Sequence, residues 1–175
     1  MHQGPLGRFR LANLEDAPAI VQLVNTVYRG PGTEENWTTE SAFIEGPRTN
    51  LGSVQTLIAA SDSAIVILER DTIDACALIK KQAEGAYFGL FSVRSALQKQ
   101  GFGRAMLKEC ESRAVQMWNA KTMEMTVINL RLELIDYYLR RGYAPTGERE
   151  AFPFDETPGA LRRDFDLVVL RKTLR

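Results

Sequence analysis

Gln98-Lys99-Gln100-Gly101-Phe102-Gly103-Arg104 is the stretch on which the reading of this chain turns. The apolar run before it, Tyr87 to Val93, has the look of a strand. After it, Met106, Cys110, Ala114 and Met117, with Leu107 and Trp118 beside them, recur at helical spacing over 104–118. The heptapeptide therefore sits at a strand-to-helix turn. There the backbone N–H groups lack carbonyl partners within the helix, and the helix dipole is positive. Two glycines let that backbone approach a bulky anion without Cβ atoms in the way, and Lys99 and Arg104 add mobile positive charge. Chemically this is a site for a phosphate or diphosphate; on the glycines alone, a tight turn with close strand–helix packing remains open. The dinucleotide-binding fingerprint would need a glycine at position 106, which is Met, and a P-loop would need Lys-Ser/Thr after its glycine, where Arg104-Ala105 stand.

Composition narrows the field. A chain of 175 residues suits one domain with a proper core; that domain is expected over 8–174, behind a flexible Gly/Pro-containing leader at 1–7. Lys plus Arg and Asp plus Glu are balanced at 22 each, so no basic field argues for nucleic acid. No apolar run approaches the roughly 20 residues that span a bilayer. Cys76 and Cys110 show no metal spacing and read as buried thiols of a reducing, cytoplasmic compartment. The lone histidine is His2. A His-dependent nucleophile system and a His-ligated metal both lack their central part, and no metal is expected.

In order, 8–13 alternates as a first strand. Asp16 and Pro18 open a helix whose face is Ala17, Ile20, Val21, Val24, Val27 and Tyr28 and which stops at Gly30. A short helix is expected over 37–44 and another over 51–60. Apolar alternation marks strands at 64–69 and 74–81, joined by a hairpin at Arg70-Asp71-Thr72, then the strand 87–93. A fifth strand covers 122–128, with Met123, Met125 and Val127 on one face. A helix covers 132–140 and ends at Gly142. The tail is a strand from 144, a Pro/Gly-interrupted loop over 152–163, and a last strand over 165–172.

Val93, four residues, then Gln98-x-x-Gly101-x-Gly103 resembles the acetyl-CoA signature of the GNAT superfamily of N-acetyltransferases. The element order and the later Tyr138-x-x-x-Gly142-Tyr143 extend the likeness over most of 8–172. It implies an α/β (α+β) GNAT fold: a mixed, mostly antiparallel sheet of six to seven strands with four or five helices, splayed between strands 4 and 5. It implies acetyl-CoA as co-substrate, with pantetheine in the splay against the main chain of Phe91, Ser92 and Val93. The diphosphate would lie on the amides from Lys99 through Gln100, Gly101, Phe102 and Gly103 to Arg104, with Gln98 opening the motif. Ser95 stands where many relatives have proline. Tyr138 matches the family's general acid, four residues before the glycine, in preference to Tyr137. No residue plainly matches a base, and Glu124 is the first of several carboxylate candidates. Where relatives carry an asparagine seven residues before the tyrosine, this chain has Arg131. Either Asn129 replaces that residue, or Arg131 meets a substrate carboxylate or a coenzyme phosphate. Trp37 and Glu40 fall in the acceptor region by resemblance, although packing and helix-start stability would explain both. The implied activity is acetyl transfer from acetyl-CoA to the primary amine of a small, amino-acid-like acceptor in a ternary complex. A peptide N-terminal acetyltransferase and a non-catalytic acyl-CoA sensor are the alternatives, and a homodimer is allowed.

Overall fold

The computed structural model describes residues 3–4, 6–30 and 40–175. Its strands are β1 (Gln3–Gly4), β2 (Gly7–Leu11), β3 (Ser63–Glu69), β4 (Ile73–Gln82), β5 (Gly85–Val93), β6 (Thr122–Ile128), β7 (Ala144–Glu150) and β8 (Leu167–Thr173). The helices are α1 (Ala17–Arg29), α2 (Leu51–Ala59), α3 (Phe102–Trp118) and α4 (Leu132–Leu139). The strands form one sheet in the order β1-β2-β3-β4-β5-β6-β8-β7. Seven of them are the strands expected from sequence; the eighth is β1, two leader residues paired antiparallel to Arg8 and Gly7. The expected strands 4 and 5 are β5 and β6, the one parallel pair among otherwise antiparallel neighbours.

Alternation along the central strands explains the layering. Ala64, Val66 and Leu68 of β3 face the α3 side with Met106, Leu107 and Cys110. Ile65 and Ile67 face the α1 side with Ile20, Val24, Val27 and Val54 of α2. Burial on both faces is why β3 is a continuous apolar run rather than a half-polar one. Both cysteines are buried free thiols, one on each side of the sheet; burial pushes the Cys76 thiol up to about 12.

Local chemistry sets the element ends. Asp16 is the N-cap residue of α1 as expected, but its carboxylate accepts from the Asn13 N–H at 2.8 Å while Asn13 Oδ1 accepts from the Glu15 N–H, so its side chain closes the short turn ahead of α1. Gly142, at φ +93°, ends α4. The short helix expected over 37–44 is corrected where it is described. Residues 40–44 make a single turn, with the Phe43 and Ile44 N–H groups donating to the Glu40 carbonyl, before Ile44 bridges to Ala160.

β5 and β6 are paired only at Ala86–Met123 and Tyr87–Glu124; beyond those positions they part. A bulge in β5 sends them apart. Gly89 pairs with Leu78 and Ser92 with Cys76, so Leu90 and Phe91 together oppose Ala77 alone. Leu90 takes φ +49°, and its carbonyl accepts from Ser92 Oγ at 3.2 Å. The extra residue bends the strand. It also shifts the phase, so that Leu90 packs on the α1 side while Phe88, Phe91 and Val93 pack on the α3 side.

Candidate active site

The gap between β5 and β6 opens into a cleft of about 840 Å³. Phe88 to Phe91 and Met125 to Ile128 form its two strand walls, and Arg131, Leu134 and Tyr138 of the α4 segment line it. Tyr28 and Arg29 at the end of α1 and Glu40 contribute further walls. A second cavity of about 430 Å³ lies at the start of α3, lined by Val93, Gln98, Lys99, Gly101, Gly103, Arg104, Tyr137, Arg140 and Arg141 among others. β5 connects the two: its middle lines the cleft and its last residue lines the second cavity.

The start of α3 is shaped for an anion. Gly101, at φ +87°, is its N-cap, and no side chain caps the helix. A Cβ placed on Gly101 would meet nothing within 4 Å, so the uncapped N–H groups lie open to the second cavity. The turn is held from beneath. Phe102 is buried in the core under the Arg70 guanidinium, 5.4 Å from its ring. Gln98 Nε2 donates to the Val93 carbonyl at 3.0 Å, and Gln100 Nε2 to that of Ala96 at 2.8 Å. Gln98 thus clips the loop to the strand end and Gln100 braces the loop on itself, and Lys99, at φ +63°, is exposed beside it. Arg140 and Arg141 add positive charge that sequence reasoning did not assign. Arg141 stacks on the Tyr137 ring at 3.4 Å and donates to the Tyr137 carbonyl at 2.8 Å. This backbone cradle is open above a glycine and lined by four cations, Lys99, Arg104, Arg140 and Arg141, against two carboxylates, Glu133 and Asp136; it fits a diphosphate.

The adjacent tyrosines of α4 face different cavities. Tyr137 lines the second one and Tyr138 the cleft, since neighbours on a helix project about 100° apart. Tyr138 is buried edge-on between Tyr137 and Tyr143, with ring centroids at 5.4 and 6.0 Å. Burial raises its pKa well above that of a free phenol, and the neighbouring Tyr28 adds to the rise while Arg131 opposes it.

The other expected site residues separate. Arg131 lines the cleft, with its pKa lowered by burial in spite of Glu40, Tyr28 and Tyr138 nearby. The Asn129 side chain instead accepts from the Asp166 N–H at 3.0 Å and ties β6 to the start of β8. Glu40 lines the cleft and accepts from Arg29 at 3.2 Å. Glu124, the first candidate base, is not among the residues that line the cleft. Its carboxylate accepts from Arg171 Nε and Nη2 at 2.9 and 2.7 Å, at the closed end of the splay. Trp37 lies outside the described residues. Sequence reasoning missed Tyr28, Arg29, Arg48 and Tyr87 as cleft residues. It also missed the bulge, whose one signal was Gly89 inside an apolar strand.

Residues 19–143 match the family model described as "Acetyltransferase (GNAT) family". The chain belongs to that family. It is an acetyl-CoA-dependent N-acetyltransferase by that membership. A search of curated proteins returns no match. Among solved structures it is similar to the ribosomal-protein-S18-alanine N-acetyltransferase of Escherichia coli, at 14% identity and TM-score 0.71 over 95% of this chain and 93% of that one. It is also similar to a spermidine N-acetyltransferase chimera from Vibrio cholerae, at 13% and 0.69 over 95% and 94%. A Salmonella typhimurium protein solved with its cofactor acetyl-CoA matches at 16% and 0.68 over 96% and 94%. At these identities the GNAT likeness is one of fold.

Proposed function

We propose that this GNAT protein acetylates the primary amine of a small acceptor held in the cleft, by direct transfer in a ternary complex, with Tyr138 as the proton donor. The observation that carries this is the placement of two cavities along one strand, β5, with the uncapped start of α3 at one and the buried Tyr138 at the other. When bound, acetyl-CoA supplies the acetyl group as a thioester already activated towards an amine. The amides from Gly101 to Arg104 would hold its diphosphate, with Lys99, Arg104 and Arg140 as counter-charges. The β5 main chain at Phe91 to Val93 would hold the pantetheine arm, because a gap between two strands accepts an extended chain by ladder-type hydrogen bonds. Tyr138 keeps its proton at neutral pH, since burial disfavours the phenolate. It is therefore in the right state to donate to a departing thiolate.

A joined rim on the acceptor side supports a small substrate. Glu45 N donates to the Gly159 carbonyl and Leu161 N to that of Phe43, at 2.7 and 2.8 Å, so two distant loops join across the cleft's edge. Free-thiol release from acetyl-CoA over a panel of small amines tests the reading. Turnover on small amines with none on peptides supports it. Tight coenzyme binding without turnover on any amine would favour a sensor instead.

A further inference from the structure

Among the described residues, the inner wall of the cleft carries more positive than negative charge. Among the same residues it presents three partly buried guanidinium groups, Arg29, Arg48 and Arg131, and one partly buried carboxylate, Glu40. Glu45 and Glu156 stand exposed at the rim. Glu40 is engaged by Arg29 at 3.2 Å. The Arg48 guanidinium lies over the Tyr28 ring at 5.6 Å, and Arg131 lies within electrostatic reach of Tyr28, Glu40 and Tyr138. Arg131 and Tyr138 stand about two helical turns apart, at the N-cap and the far end of α4, and both open on the same cleft.

We infer that the acceptor bears a carboxylate next to its amine, as a free α-amino acid does, and that Arg131 takes that carboxylate. The inference rests on the acetyl-transfer reading above and names the substrate class of the same site. A guanidinium offers a planar fork that matches a carboxylate, and such charge-assisted pairs are stronger in a partly desolvated wall than in water. A single carbon separates the carboxylate of an α-amino acid from its amine, so docking the one at Arg131 keeps the other inside the cleft that Tyr138 also lines. The same positive field acts on the amine. Nearby cations and burial both disfavour an ammonium, so they lower its pKa and supply the neutral, nucleophilic form without a dedicated carboxylate base. This accounts for a cleft whose inner carboxylate is tied to an arginine and whose sequence-predicted base, Glu124, lies elsewhere. It also sorts acceptors: a polyamine brings further positive charge to a positive wall, and a peptide N-terminus presents an amide where the carboxylate should be.

The test is thiol release from acetyl-CoA over matched pairs, each free α-amino acid beside its own carboxamide, with spermidine as a third arm. The acids are expected to exceed their amides in kcat/KM by at least about tenfold, the worth of one charge-assisted contact. In Arg131→Gln that ratio falls to within roughly threefold while KM for acetyl-CoA is held, and Arg131→Lys, which keeps the charge without the fork, retains part of it. If amides or spermidine match the acids in the wild-type enzyme, the inference is overturned with acetyl transfer intact, and that comparison needs no variant to fold. If no acceptor gives thiol release although acetyl-CoA raises the melting temperature, the transfer reading fails and takes this inference with it.

Discussion

Tyr138 and Tyr137 differ in what they can do because of where a helix points them. Tyr138→Phe should lower kcat by about 10²–10⁴-fold, the usual worth of a positioned acid, and leave acetyl-CoA affinity nearly unchanged by calorimetry. The pH profile has a definite sign. Burial raises the Tyr138 pKa, so the protonated form persists above the ordinary phenol value of about 10, and activity at pH 9 should show no loss from this group. A fall in kcat centred well below 10 that vanishes in the Phe variant would contradict the assignment. At this scale the sequence was partly legible. The spacing Tyr138-x-x-x-Gly142 singled out the tyrosine that lines the cleft, because a short helix and its αL stop hold side chains to a fixed phase. The partners of Glu124 and Asn129 were not legible, since Arg171 and Asp166 are remote in the chain.

At the scale of elements, α3's start and the β2–β3 clasp each make a prediction. Gly101→Ala meets no neighbour, but it forces an L side chain into φ +87°, at a cost of about 1–2 kcal/mol. It also sets a methyl over the cradle. Acetyl-CoA affinity should fall at least about tenfold by calorimetry, while Gly147→Ala, at the same φ in the exposed strand β7, should cost similar stability with no loss of affinity. In the clasp, Arg10 of β2 donates to Asp16 ahead of α1 at 2.7 and 2.9 Å, and to Glu69 at the end of β3 at 2.9 and 2.7 Å. Hydrogen bonds from Arg10 hold both carboxyl pKa values below their usual range. Depressed folded-state values mean that this stabilisation is present above the ordinary carboxylate pKa of about 4 and is lost as pH falls through the folded values. The melting-temperature gap between wild type and Arg10→Gln should therefore be full at pH 7 and close on acidification below about pH 4; a pH-independent gap would refute the linkage. Elements with strong periodicity were readable in advance, α1 and β3 above all. The β5 bulge was not, because nothing but Gly89 announces that Leu90 will leave the alternation.

For the molecule as a whole, the division of labour follows the sheet. On the proposed reading the coenzyme half is continuous in sequence, from β5 through α3, which is why one motif could expose it. The proposed acceptor half is put together from distant stretches, by the packing of Phe43 and Ile44 against Phe152, Phe154, Phe165 and Leu167. Scattered aromatics in loops carry no period, so from sequence that region shows only an interrupted loop. Phe165 touches Phe43, Phe152 and Phe154 with centroids at 5.6, 4.8 and 5.0 Å. Phe165→Ala should cost about 3–5 kcal/mol locally. It should raise KM for the acceptor several-fold while KM for acetyl-CoA stays put; equal rises in both would place the cluster in global stability alone. The Ile44–Ala160 bridge, with Gly159 lying against the Glu45 carbonyl too closely for any side chain, stitches that half together. Such a seam leaves the floor of the sheet uninvolved, so descendants of this protein can exchange one hem for another and acquire a new appetite while the handle for the common donor is inherited whole.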